Sequence, residues 1–181
     1  MMMQQQFLIS LPTLVDSNFS KSLVYVDSHD GDGAKGWIVN KELDNRISVR
    51  LRKSIQLALN APIYYGGPVE VNQAFVLHSD DVKIKQTVQL NDNLCVTRDE
   101  SIINMLNEGN YPEYWRIVIG CCSWGAGQLE SEMLGSRTNG KGLWINCPYD
   151  QQLMWQVLAE NQWEKGIEYS ATKKVADYLN F

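Results

Sequence analysis

Two histidines, four cysteines and one glycine-rich block hold most of the chemistry that this chain of 181 residues could perform. The block reads Gly120-Cys121-Cys122-Ser123-Trp124-Gly125-Ala126-Gly127-Gln128-Leu129-Glu130. It follows the apolar run Arg116–Ile119 and leads into a segment of helical composition. Its glycines are therefore expected where a strand turns sharply into a helix, a place that calls for positive φ or close backbone approach. Such a helix start has unpaired N–H groups and could receive an anion at Gly125–Gly127. Close packing of strand against helix is the simpler account of the same glycines.

Each more specific motif fails at an identifiable residue. A dinucleotide fingerprint beginning at Gly125 needs a third glycine where Glu130 stands, and no G-x-x-x-x-G-K-[ST] loop occurs. Ser123 could be the nucleophile of a G-x-S-x-G elbow, but position 121 is cysteine, and only His29 or His78 could serve as base. In a calcium loop counted from Asp30, the fifth and twelfth positions are Ala34 and Lys41, which supply no carboxylate. Asp30, Asp32, Gly31 and Gly33 are accounted for as turn formers. His78 ends an apolar strand and reads as a hydrogen-bonded structural residue. Neither a metal nor a cofactor is assigned, and no residue is assigned a catalytic role.

The cysteines are 95, 121, 122 and 147, with no C-x-x-C pair among them. Adjacent strand residues point to opposite faces, so Cys121 and Cys122 cannot readily chelate one ion. The expectation is reduced, buried thiols. A redox-sensitive Cys121 or Cys122, its thiol acidified by the following helix start, is the alternative. Most of the six tryptophans fall at apolar periodic positions, whereas Trp124 lies between glycines and is expected to be partly exposed, as a ligand or partner contact.

These residues need a scaffold, and composition bounds it. Apolar residues make up 44% and charged residues 20%, the proportions of a globular chain. The net charge is −5, from 16 basic and 21 acidic residues. The basic clusters, Arg46-Arg50-Arg52-Lys53 and Lys173-Lys174, are small and read as solvated helix faces, so direct nucleic-acid binding is disfavoured. Apolar runs are too short to cross a membrane, and the N-terminal residues lack a secretory pattern. A cytoplasmic location is expected.

Strands are expected at 7–9, 22–27, 36–39, 63–65, 74–78, 87–90, 94–96, 117–119 and 143–146, with a longer hairpin loop at 29–33. Helices are expected at 49–59, 100–107, 125–133 and 149–161, the second capped by Thr97 or Asp99 and stopped by Gly109. Irregular interleaving with two hairpin-like pairs indicates an α+β fold around a mixed sheet. The chain reads as one domain over residues 1–181, with room for a small subdomain in its middle. Only the last dozen residues look loosely tied.

Together these segments resemble the YqgE/AlgH family of small bacterial proteins. The resemblance rests on Phe7-Leu8-Ile9 with Leu11-Pro12, Asp16 and Asn18-Phe19; on Ser22-Leu23-Val24-Tyr25; and on His29 with Asp32-Gly33-Ala34, Gly36 and Asn40. It continues through Gly66-Gly67-Pro68-Val69, Phe75-Val76-Leu77-His78, and Gly120 followed by Trp124-Gly125-Ala126-Gly127-Gln128-Leu129-Glu130. Cys121-Cys122-Ser123 departs from a common Tyr-Ala-Gly, and Asp177–Phe181 departs from a Gly-His-Ala-like tail. The resemblance implies an α/β-type fold of mixed sheet and helices and a cytoplasmic protein. It also implies a loose link to transcriptional regulation, one branch being named for control of alginate production. It offers no catalytic residues to transfer.

The leading expectation is a non-enzymatic regulatory or binding protein. Its surface would comprise His29, Asp32, Gly33, Gly36, Asn40, Gly66, Gly67, Pro68, His78, Trp124, Gly125, Gly127, Gln128 and Glu130. Its counterpart would be a protein partner or a small anionic ligand. One alternative is a small-molecule enzyme or sensor holding an anionic group at Gly125–Gly127; another is a direct DNA-binding repressor.

Overall fold

A computed structural model describes residues 2–15, 18–136 and 139–179. Asp16, named above, lies outside the described residues. The elements in chain order begin with β1 (Gln6–Ser10), β2 (Leu23–Asp30), β3 (Gly33–Ile38), α1 (Asn45–Ser54), β4 (Ile63–Tyr65), β5 (Val69–His78) and β6 (Thr87–Asn91). There follow β7 (Leu94–Thr97), α2 (Glu100–Asn107), β8 (Trp115–Gly125), α3 (Gln128–Leu134), β9 (Trp144–Pro148), α4 (Gln151–Trp155) and α5 (Ala159–Leu179). Strands and helices mix as an α+β fold. The chain divides into two compact units, one of Met1–Asn40 with Cys122–Phe181 and one of Lys41–Cys121.

In the first unit the end of β8, then β3, β2, β1 and β9, pair antiparallel in that order. Phe7, Leu8, Ile9, Leu23, Val24, Tyr25 and Val26 are all fully buried, so β1 and β2 lack polar alternation. Unbroken burial along a strand means that both of its faces are covered. The α5 helix packs on β1, β2 and β9. A Cβ added at Gly166 of α5 would stand 3.4 Å from Ile9 Cδ1, showing how closely the helix approaches the sheet. Buried Gln162 donates to the carbonyls of Leu153 and Met154, using carbonyls that the end of α4 leaves unpaired.

In the second unit β5 pairs antiparallel with β7 and with the start of β8, β6 pairs with β7, and β4 runs parallel to β8. Its core holds Leu57, Ile63, Val76, Ile102, Ile103, Leu106, Ile117 and Ile119. Asp44 and Asp99 cap α1 and α2 by accepting the backbone N–H of Arg46 and Ser101. Asp99, one of the two cap candidates, is thus the cap of α2, and Gly109 follows that helix with φ +83°.

Several boundaries differ from expectation. The 29–33 loop is a two-residue turn at Gly31-Asp32, because β2 continues to Asp30 and β3 begins at Gly33. Asp30 Oδ1 accepts the Asp32 N–H and shapes this turn. The 49–59 helix begins instead at Asn45 and ends at Ser54, where Gln56 adopts φ +58°. Leu57, beyond the helix, is delivered to the core as irregular chain. The 149–161 helix is two helices, α4 and α5, and α5 runs on to Leu179, into the segment read as loosely tied. Most consequentially, β8 does not stop at Ile119: it passes through Gly120 at φ +77° and runs to Gly125, so the turn is only Ala126-Gly127.

Gly36 faces the backbone of β2, where an added Cβ would fall 2.2 Å from the Tyr25 carbonyl oxygen. At Gly31 an added Cβ meets nothing within 4 Å. Gly36→Ala should therefore lower unfolding stability by about 2–3 kcal/mol through overpacking. Gly31→Ala should stay within about 0.5 kcal/mol of the parent. Urea melts of the two variants check the contrast, and equal midpoints would remove the close-approach explanation.

Candidate functional site

Two segments of the first unit meet around His29. The β2–β3 pairing places His29 near the end of β2, itself 4% exposed between half-buried Ser28 and exposed Asp30. Its Nδ1 accepts the backbone N–H of Met3 at 3.0 Å, so Nδ1 carries no proton and the ring is neutral. The proton sits on Nε2, which donates to Glu130 Oε1 at 2.9 Å. Glu130 stands in the first turn of α3, where its own backbone N–H holds its carboxyl below the usual range, against the opposing effect of burial. The other carboxylate oxygen, Oε2, is shielded from solvent and has no hydrogen-bond donor among the described residues.

These groups border a pocket of about 250 Å³ lined by Met3, His29, Leu129, Glu130, Met133, Leu134 and Asn146. Its walls are mainly aliphatic and thioether, with the Glu130 carboxylate as the charged group. Of the residues proposed from sequence, this pocket brings together His29 and Glu130. Met3, Met133 and Asn146 carried no sequence signal, being isolated residues far apart in the chain.

Trp124 and Gln128 do not line that pocket; they converge on Glu132, a residue that sequence reasoning missed. The indole N–H groups of Trp124 and Trp144 both donate to Glu132 Oε2, at 3.0 and 2.8 Å. Gln128 Nε2 donates to Glu132 Oε1 at 2.9 Å, while Gln128 Oε1 accepts the Gly125 N–H at 3.0 Å. The two indoles pack edge to face, with centroids 6.1 Å apart. Trp124 is consequently buried, at 5% exposure, where partial exposure was expected. The spacing Gln-x-x-x-Glu, one helical turn, was the available sign of this network.

The glycines here have structural reasons. Gly33 has φ +138°, and a Cβ on it would strike the Trp124 carbonyl. Gly127 caps α3 in the left-handed region at φ +69°, with open space around it. Gly125 ends β8 opposite Gly33. The helix that Gly127 opens has only seven residues, and two carboxylates, Glu130 and Glu132, already stand in it. Asn40 accepts the Leu23 N–H and donates to the Lys21 carbonyl, fastening the entry to β2.

Gly66, Gly67, Pro68, His78 and Cys121 belong to the second unit. Gly66 and Gly67 lie against Gly120, and an added Cβ at 66 would fall 2.3 Å from the Gly120 carbonyl oxygen. Pro68 is exposed, directly before β5. His78 is fully buried and ends a directed chain of hydrogen bonds. Its Nδ1 lies 2.8 Å from the Ser79 carbonyl oxygen, an acceptor, so Nδ1 must donate. In the neutral ring Nε2 then accepts from Thr97 Oγ1 at 2.9 Å, and Thr97 Oγ1 lies 2.8 Å from Thr87 Oγ1. Thr87 Oγ1 in turn accepts the Ile84 N–H. All four cysteines are buried and none is in a disulfide. Cys121 and Cys122 lie within β8, not at a helix start, so the geometry invoked for an acidic thiol is absent; Cys121 Sγ donates to Glu70 Oε2 at 3.3 Å.

Residues 7–173 match a family model described as AlgH-like. The chain belongs to the AlgH-like family. It is 32% identical over 173 residues to a UPF0301 protein of Rhizobium etli, covering 90% of this chain and 83% of that one. A UPF0301 protein of Hahella chejuensis is 33% identical over 160 residues, covering 86% and 82%. The solution structure of the AlgH protein from Pseudomonas aeruginosa superposes with a TM-score of 0.74 at 27% identity, covering 93% of this chain and 88% of AlgH. A crystal structure from Corynebacterium diphtheriae shares the fold at TM-score 0.60 and 15% identity, covering 82% and 77%. No described helix of this AlgH-like chain is long and apolar enough to cross a membrane.

Two outcomes follow from this geometry. Glu132→Ala strands two indole N–H groups and should cost about 2–4 kcal/mol, read as a lowered midpoint in urea. Burial pushes the His78 pKa down from its ordinary 6.5. Above pH of about 6.5 neither the folded nor the unfolded chain protonates this residue, so it contributes no slope. Below that, the unfolded chain takes up a proton that the folded one refuses, and stability falls until the lower folded value is passed. The difference in stability between pH 7.5 and pH 5 should therefore shrink in His78→Gln, measured by melts at both values.

Proposed function

We propose that this AlgH-like protein is a ligand-responsive binding protein, not a catalyst. It acts on a regulated process, transcription included, through a partner protein and without touching DNA itself. The observation that carries the reading is the His29–Glu130 pocket: a preformed apolar cavity of about 250 Å³ beside a shielded carboxylate oxygen that lacks a donor among the described residues. Concave, mostly apolar sites with a few placed polar groups are where small molecules bind. Both histidines have each ring nitrogen committed to an internal partner, which favours holding a ligand over proton transfer to one.

Regulation through a partner is supported by charge. With 16 basic against 21 acidic residues, the chain lacks the counterion-release drive on which most duplex binding depends. On α1, Arg46, Arg50 and Lys53 are exposed, while Arg52 Nη1 is drawn to the Ala61 carbonyl at 2.8 Å. That leaves a short basic stripe on one ten-residue helix.

Two measurements test the reading. A neutral apolar probe, benzyl alcohol, should shift the amide resonances of Met3, Leu129, Met133 and Leu134 in an isotope-labelled sample; unchanged resonances would reject the pocket. Fluorescence anisotropy of a labelled duplex should show no binding by the purified protein at physiological salt. Micromolar, salt-sensitive binding would overturn the indirect mode of action.

A further inference from the structure

We infer that the His29–Glu130 pocket selects an organic cation: a protonated amine carried on a small apolar body. The inference rests on the pocket reading above and adds the chemical class of the ligand. The charged side chain lining the pocket is an anion, and the histidine beside it is already engaged. His29 Nδ1 is taken by the Met3 N–H, and His29 Nε2–H is taken by Glu130 Oε1. Asn146 Nδ2 is turned to Gln6 Oε1. Among the described residues, no lysine or arginine lines the cavity. The shielded acceptor without a donor among the described residues is Glu130 Oε2, on a carboxylate that its own helix start keeps ionised.

The three ligand charges then separate physically. An anion would meet a carboxylate across apolar walls, with no lysine or arginine among the described residues that line them to offset the repulsion. A neutral apolar molecule would fill the space but leave a buried oxygen without a donor, a costly arrangement. An ammonium group supplies both the missing donor and the opposite charge, in a charge-assisted hydrogen bond. The Glu130 side chain is 42% exposed, so its carboxylate is open to an incoming ammonium group while Oε1 keeps its bond to His29. The cavity volume of about 250 Å³ exceeds the roughly 150 Å³ that accommodates benzene, so a ring or a short alkyl chain fits. The Met3 and Met133 thioethers can adapt to its shape.

The test compares three probes of one shape on the intact protein: benzylammonium, benzyl alcohol and benzoate, each titrated at pH 7 while following the amide resonances of Met3, Leu129, Met133 and Leu134. Benzylammonium should bind about tenfold or more tightly than benzyl alcohol, with benzoate weakest. In Glu130→Gln its affinity should fall to that of the alcohol. Leu134→Ala, at an exposed position, should weaken all three alike without changing their order. If benzyl alcohol binds and benzylammonium binds no better, or benzoate matches it, the cation inference falls while the pocket reading survives. If no probe shifts these resonances, both fall together. Should Glu130→Gln fail to fold, the order of the three probes on the parent protein decides the matter.

Discussion

A single carboxylate, Glu132, holds the first unit's working face in place. Its two oxygens gather the indole of Trp124 from the end of β8, the indole of Trp144 from the start of β9, and the amide of Gln128 one helical turn back. A helix of seven residues has little stability of its own, so α3 depends on ties of this kind. Two residues along a helix differ by about 200° in direction, so fastening Glu132 to the indoles turns Glu130 elsewhere, to His29. The pocket is thus a by-product of how α3 is clasped.

This arrangement explains why the glycine-rich block looked like a ligand site. Exposed glycines, a tryptophan and a glutamine before a helix are the parts from which an anion cradle could be made. In the folded chain the tryptophan is a core residue, and the glutamine caps the turn by accepting the Gly125 N–H. The glycines admit neighbouring backbone at Gly33 and a left-handed cap at Gly127. The helix start supports carboxylates of the same chain.

Much of the architecture was legible because local signals agreed with the final packing. The apolar runs at 7–9, 63–65 and 117–119 are strands, and Asp99 caps the helix it precedes. Boundaries failed where tertiary contacts overrode local cues. Cys121-Cys122-Ser123-Trp124 contains no β-branched residue, yet pairing with β3 extends the strand to Gly125. Asp44 and the left-handed Gln56 set the limits of α1, where periodicity alone pointed later. At the site, His29 and Glu130 were visible individually, but their meeting depends on the register of β2 and the clasp on α3. Met3 joins them through a bond to His29 across 26 residues, and Asn146 through the β1–β9 ladder, which spans most of the chain. No reading of neighbours in sequence could supply those partners.

The discontinuity of the first unit bears on the order in which the chain assembles. The second unit is one continuous stretch, Lys41–Cys121, whereas the first joins segments from either side of it. Its β1–β9 ladder pairs Gln6 with Pro148 and Ser10 with Trp144. While residues 41–121 remain unfolded, that pairing must close a very long flexible loop, and closure entropy rises with length. Once they have condensed, the same ladder closes through a compact insert. Contacts of long sequence separation are the slow ones in folding, so a condensed insert lowers the closure cost that its host must meet. The His29–Glu130 pocket, built wholly from host residues on both sides of the insert, shares that dependence.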